Sequence, residues 1–151
     1  MLRKKIYQVI AGYHEDDAAN HLTHDPIFTQ VLGTPALASQ PSLSRFFRRF
    51  DTQAIDQLQV ANQELLDRVH KMRQSDTLLI DLDSSHANTY GKQEQASYNA
   101  HYGTVGFHPL VAFDGLTGDF LTAQLRPGNV YTSNGVVDFL RPLLEHYNET
   151  F

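Results

Sequence analysis

Apolar residues recur at helical spacing in the first half of the chain, and in the second half they gather into short unbroken runs. Leu2, Ile6, Val9, Ile10 and Tyr13 predict a first helix that stops near Gly12. Asp25-Pro26 reads as an N-cap followed by proline at the first helical position, where its missing N–H costs nothing. Ile27, Phe28, Val31 and Leu32 then form a short apolar stripe that ends at Gly33. Ser42 is placed to cap a helix with Leu43, Phe46, Phe47 and Phe50 on one face and Arg45, Arg48 and Arg49 on the other. Asp51 can cap the longest helix, about residues 52–73, with Ile55, Leu58, Leu65, Val69 and Met72 inward.

The character changes at Thr77. Thr77 to Asp83 is a short, mostly apolar run bounded by polar residues, the pattern of a buried strand. From Ser84 to about Gly103 neither period is present, which predicts a long loop of functional or mobile kind. Phe107 to Phe113 is the next strand, Asp114 to Gly118 a turn, and Asp119 to Leu125 a returning strand that completes a hairpin. Arg126-Pro127-Gly128-Asn129 breaks the run. Ser133 then caps a final helix carrying Val136, Val137, Phe139, Leu140, Leu143, Leu144 and Tyr147, with Pro142 inside it to kink it or start its second half. These elements predict a mixed chain, α+β or α/β: a helical region over 1–75 and a sheet-bearing region over 76–151. A single helix on a three-stranded sheet leaves an apolar strand at an edge, so the second region reads as incomplete.

Composition narrows the setting without touching the chemistry. The 41% apolar and 11% aromatic content is that of a globular protein. No apolar run is long enough to span a membrane. The basic start, Met1-Leu2-Arg3-Lys4-Lys5, lacks the cleavage site of a secretory signal. Absence of cysteine excludes disulfides and thiolate metal sites, and the expected location is the cytoplasm. A formal charge of −5 offers no global attraction to nucleic acid, so any DNA contact must use a local patch.

Asp81 and Asp83 lie two apart on the first predicted strand, so their side chains share a face. Two neighbouring carboxylates repel unless a cation or donor sits between them, and Mg²⁺, a hard cation with oxygen ligands, resolves that conflict. The bland alternative is that Asp81 is a hydrogen-bonded structural residue and Asp83 caps the strand. His14, His21 and His24 lack the spacing of a zinc site; His86, His101 and His108 flank the loop and could approach the aspartates, but such histidines more often read as surface or hydrogen-bonding residues. The Arg45, Arg48 and Arg49 face suits either phosphate oxygens or plain solvation. Neither a Gly-rich phosphate loop nor a Gly-x-Ser-x-Gly elbow occurs.

Longer stretches carry a family likeness. Leu79-Ile80-Asp81-Leu82-Asp83-Ser84-Ser85, Gly91-Lys92-Gln93-Glu94 and Tyr98-Asn99-Ala100-His101-Tyr102-Gly103 resemble a DDE transposase family of bacterial insertion sequences, sometimes labelled DDE group 1. The likeness continues through His108-Pro109-Leu110, Phe113-Asp114-Gly115 and Leu125-Arg126-Pro127-Gly128-Asn129-Val130. Upstream it includes Ile10-Ala11-Gly12-Tyr13, His24-Asp25-Pro26 and Ala38 to Phe46. It implies the opening strand-strand-strand-helix of a ribonuclease-H-like domain, with the first acidic residue on the first strand. Asp83, followed by Ser84-Ser85, takes the role of first catalytic aspartate, and Asp81 is its same-face neighbour or second choice. Both are then metal ligands, for two Mg²⁺ (or Mn²⁺) ions in the complete enzyme, which cut the element's ends and join them to target DNA. Gln93, Asn99 and His101 fall in the motif after that strand and are weaker DNA-contact candidates, as are Arg45, Arg48 and Arg49. The implied partners are transposon ends and target DNA, with self-association and no membrane.

The resemblance also implies truncation at both ends, since the family's second aspartate and its glutamate are expected beyond the matching segment. This polypeptide alone is therefore expected to be inactive on DNA. Two other readings stand beside it: a non-catalytic DNA-binding or decayed fragment, and a phosphatase of the haloacid-dehalogenase type with Asp81 as nucleophile and Asp83 as general acid.

Overall fold

The structure, a computed structural model, describes residues 1–150. The chain forms two compact units that divide between Gln57 and Leu58, inside the longest helix.

The first unit is helical. Helix α1 spans Leu2–Ile10, α2 Ala18–His21, α3 Pro26–Leu32 and α4 Gln40–Phe47, and α5, Thr52–Arg73, begins here. The α3 signals act as expected. The Asp25 carboxylate accepts from the backbone N–H of Ile27 and Phe28, both at 2.9 Å, and Gly33 closes the helix in the left-handed conformation. Asp51 likewise accepts from Ala54 N–H at 2.9 Å. Helix α4 starts three residues earlier than expected, at Gln40 after Ser39 rather than after Ser42, because Pro41 fits its first turn. The expected inward face of α1 is corrected. Lys4 and Gln8 are the buried residues, while Ile6, Val9 and Ile10 are exposed. The reason is hydrogen bonding: the Lys4 ammonium donates to the carbonyls of Ala19 and Ala38, and Gln8 donates to Glu15 O at 2.9 Å. Burial lowers the Lys4 pKa, with the Lys5 charge adding to it.

The second unit is built on one antiparallel ribbon. Strand β1, Ile80–Ser84, pairs with β5, Leu110–Asp114; strand β2, Ala87–Asn88, pairs with β4, Thr104–Phe107. The register is continuous across both pairs, since Ser84 faces Leu110 and Ala87 faces Phe107 with two residues between on each side. Strand β6, Phe120–Gln124, adds to β5, and β3, Ser97–Asn99, adds to β4. The two sheets therefore run in the orders β1-β5-β6 and β2-β4-β3. The long loop expected over 84–103 is corrected by this second sheet. The two of its strands that lie within that stretch, β2 and β3, are two and three residues long, too short to show a period in sequence.

Helix α6, Val136–Thr150, and the C-terminal part of α5 cover one face of the β1-β5-β6 sheet. Leu66, Ala112, Leu121 and Leu143 form the core, with Leu78, Ile80, Leu82, Phe139, Leu140 and Tyr147 against it. The strand-strand-strand-helix order implied by the resemblance is thus present in β1, β5, β6 and α6. The inward face expected of α5 is corrected: Leu65 is 59% and Met72 84% exposed, while Leu66 and His70 are buried. Asn62 donates to the carbonyls of Phe120 and Leu121 at 3.1 and 3.2 Å, and Gln59 to Ala123 O at 3.2 Å. Those three bonds fix the roll of α5 along β6, so polar residues chose the face. Ser133 does not cap α6, which starts at Val136.

His146 on α6 meets the Asp67 carboxylate of α5 at 2.9 Å, and Gln63 donates to the same carboxylate at 3.0 Å. Burial raises the Asp67 pKa, but the hydrogen bonds from His146 and Gln63 outweigh it and the net shift is downward. A carboxyl held below its unfolded pKa stabilises the fold above that unfolded value, and the contribution is lost as pH falls toward the folded one. Acid titration of wild type should therefore show stability falling from about pH 4 downward. In Asp67→Asn that limb should flatten; an unchanged limb would remove this pair from the account.

Candidate functional site

The alternation of β1 separates its side chains by face. Ile80 and Leu82 pack on the core, so Asp81 and Asp83 must emerge together on the opposite, open face, where both are exposed. Cross-strand register sets Phe113 opposite Asp81 and Val111 opposite Asp83. Phe113 meets Phe120 edge-on at 5.9 Å, so the two carboxylates stand beside an apolar, aromatic surface. Asp83 accepts from the Ser84 N–H at 2.7 Å, leaving the rest of its lone pairs to solvent or a cation.

A cavity of about 570 Å³ opens where β1 ends. It is lined by Ser84, by the β3–β4 hairpin turn with Asn99, His101 and Tyr102, and by the segment from Gly128 to Thr132. Asn99 and His101 are brought together here. Gln93 is exposed and lies outside the cavity lining. Asn99 is buried, and its amide is largely engaged. Its oxygen accepts from His101 N–H at 2.9 Å and Tyr102 N–H at 3.2 Å, shaping the turn, and its nitrogen donates to Gly128 O at 2.7 Å.

In sequence, 126–129 reads as a strand breaker and as part of the family-like run Leu125–Val130. The structure shows Arg126 to be a buried strut. Its guanidinium donates to His108 O at 3.1 Å, Thr132 O at 3.2 Å and Asn134 O at 2.9 Å. The His108 ring donates from Nδ1 to Val130 O at 2.8 Å, and the Ser84 and Thr132 hydroxyls meet at 3.0 Å. Close packing at Gly128 makes these bonds possible, because a Cβ there would lie 2.4 Å from both Gly106 O and Ser97 O. The run of Arg126, Gly128 and Asn129 was the available signal, since a break whose residues are not simply turn formers points to a packing demand.

One further cluster has no sequence signal. Ligand atoms of His70, Asp114 and Asp119 all lie within 4.8 Å of one another, and among the described residues it is the one such group of three. Asp114 also accepts from Leu116 N–H and the Thr117 hydroxyl, both at 2.9 Å. Arg73 pairs with Asp119 and, with the Thr117 hydroxyl, lowers its pKa. This cluster belongs to the β5–β6 turn, opposite the start of β1, and a guanidinium already balances one of its carboxylates. The Arg45, Arg48 and Arg49 side chains are exposed at the end of α4. That helix ends at Phe47, so Arg48 and Arg49 sit on the turn beyond it. Asp81, Asp83 and the cavity lie in the other unit.

The family described as Transposase DDE domain group 1 matches residues 1–151. No curated protein and no solved structure matches the chain. No helix among the described residues is long and apolar enough to cross a membrane.

Gly128→Ala should destabilise the second unit by about 1–3 kcal/mol, the usual cost of forcing atoms into closed packing. Urea unfolding measures it, and a variant as stable as wild type would show that the contacts at Gly128 relax freely.

Proposed function

Because the chain belongs to the Transposase DDE domain group 1 family, we propose that Asp83, with Asp81 beside it, is its metal-binding acidic site for work on DNA phosphodiesters. The observation that carries the reading is the pairing of both carboxylates on the open face of β1, with the core on the other face. The donor set fits a hard divalent cation such as Mg²⁺ or Mn²⁺, since it is all carboxylate oxygen. Such a cation supplies charge stabilisation at the phosphate and a more acidic bound water. The chain's own part is to hold the two oxygen donors rigidly on a paired strand. The Phe113 ring lies across the ladder from Asp81, against Phe120.

Among the described residues no third acidic group joins Asp81 and Asp83. Two carboxylates fall short of the ligand set that two ions need, so this polypeptide alone should neither cut nor join DNA. The complete enzyme would act in the cytoplasm on transposon ends and target, and self-association belongs to the same reading. A second reading, a non-catalytic DNA-binding fragment, has the exposed Arg45, Arg48 and Arg49 cluster in its favour. A phosphatase of the haloacid-dehalogenase type gains no support, since the family match runs the length of the chain.

Mn²⁺ titration followed by amide NMR tests the acidic site. Signals of residues 81–84 and 111–113 should broaden first, and the effect should vanish in Asp81→Asn with Asp83→Asn. Broadening centred on 114–119 instead would move the site to the turn cluster and defeat the proposal. Incubated with a transposon-end duplex and Mg²⁺, the purified chain should leave the strands intact; nicking that disappears in Asp83→Ala would overturn the expected inactivity. Duplex binding, if the arginine cluster carries it, should weaken with salt and drop further when Arg45, Arg48 and Arg49 are reversed to glutamate.

A further inference from the structure

The cavity beyond β1 differs in character from the acidic face. Its lining holds no lysine, arginine, aspartate or glutamate. The imidazoles of His101 and His108 are also in the lining, the latter bonded to Val130 O, so no permanent charge faces phosphate oxygens there. What it offers is aromatic surface and neutral hydrogen-bonding groups. The rings of Tyr98, Tyr102 and Tyr131 are 60%, 47% and 74% exposed, and all three line it. The Tyr102 ring is backed by His86, stacked at 4.8 Å, and edged by His101 and His108. Asn129, exposed at the rim, carries both an acceptor and two donors on one side chain.

The walls are also fixed in advance. Asn99 to Gly128, Ser84 to Thr132 and His108 to Val130 are three bonds between the hairpin or β1 side and the 128–132 side. A cavity so tied needs little ordering when a ligand enters, so contact energy appears as affinity. Its volume lies in the range of small-molecule sites.

We infer that this cavity receives an unpaired nucleobase of the DNA strand handled beside Asp83, stacked on tyrosine and read at its edge by Asn129. The inference rests on the transposase reading for its choice of DNA as the source. A flat, uncharged heteroaromatic ring matches a site with exposed π-faces and neutral donors and acceptors. Base-on-aromatic stacking is strong enough to hold it and tolerant of base identity. A base inside a duplex presents no free face, so the site selects opened or single-stranded DNA. Ser84, one residue beyond Asp83 and on the other face of β1, lines the cavity, so a strand whose base enters it passes the end of β1 to reach the carboxylates.

The test is a short single-stranded oligonucleotide containing one 2-aminopurine, titrated with the full 151-residue chain and followed by fluorescence. Stacking should quench the probe, while the same probe paired within a duplex should not respond. Tyr98→Ala and Tyr131→Ala, both at exposed rings, should each raise the half-saturating concentration about five-fold or more. No response on the single strand, or an equal response in the double variant, overturns the inference. So does a 2-aminopurine deoxynucleoside that binds as tightly as the oligonucleotide, since the site would then be one for free nucleosides. Duplex binding is scored separately through the arginine reversals. Duplex binding retained without any probe response defeats the base site alone, whereas a probe response without duplex binding upholds it and removes the arginine contact.

Discussion

A buried guanidinium sets the geometry on which the candidate site depends. Arg126 gives up water to donate to three backbone carbonyls, those of His108, Thr132 and Asn134. Burial pulls its pKa below the ordinary arginine value, yet arginine keeps its proton in proteins. A charge out of water is costly unless its hydrogens are used; Nε and Nη1 are used here, while Nη2 is buried without a partner. Here the carbonyls are those of a loop that has no regular partner strand. Loss of the guanidinium would therefore expose a set of polar groups rather than one contact, and would leave the 127–134 segment to its bonds from Asn99, Ser84 and His108.

That segment meets the ribbon at its weakest point. The ladder of β1–β2 against β4–β5 is interrupted for two residues, around His108-Pro109, where proline cannot donate. Arg126 O accepts from His108 N–H at 2.9 Å, and Pro127 bridges Phe107, so the chain after β6 repairs the interruption. Gly128 permits the approach, since any side chain there would meet two carbonyl oxygens. The break in the ladder is also where the cavity opens. A regular ladder would have filled that space with paired strands.

Two chemistries then stand at the same end of β1 without mixing. Alternation puts Asp81 and Asp83 on the open face and Ser84 toward the cavity. The carboxylates suit a hard cation; the tyrosines and Asn129 suit an uncharged ring. Had a lysine or arginine lined the cavity, phosphate would be the natural occupant and the two sites would compete for the same part of a DNA strand. The turn cluster of His70, Asp114 and Asp119 belongs to the opposite end of β1, and its pairing with Arg73 ties α5 to the β5–β6 hairpin.

The sequence by itself determined the helical opening, the Asp25 and Asp51 caps, the β5–β6 hairpin and the shared face of Asp81 and Asp83. Each depends on local rules, namely period, capping chemistry and strand alternation, that act over a few residues. It also carried the family likeness, because ordered motifs along a chain need no fold to be read. Only the tertiary structure decided that α1 buries Lys4 and Gln8, and that α5 turns Leu66 rather than Leu65 inward. In both helices polar side chains found partners distant in sequence, and those bonds outweighed apolar periodicity. The second sheet was hidden for a similar reason: strands of two or three residues exist through their partner strand and show no pattern of their own. The cavity and the buried role of Arg126 were beyond sequence altogether. They arise where a ladder interruption, a glycine contact and a loop from across the sheet coincide, and that coincidence is made only by folding.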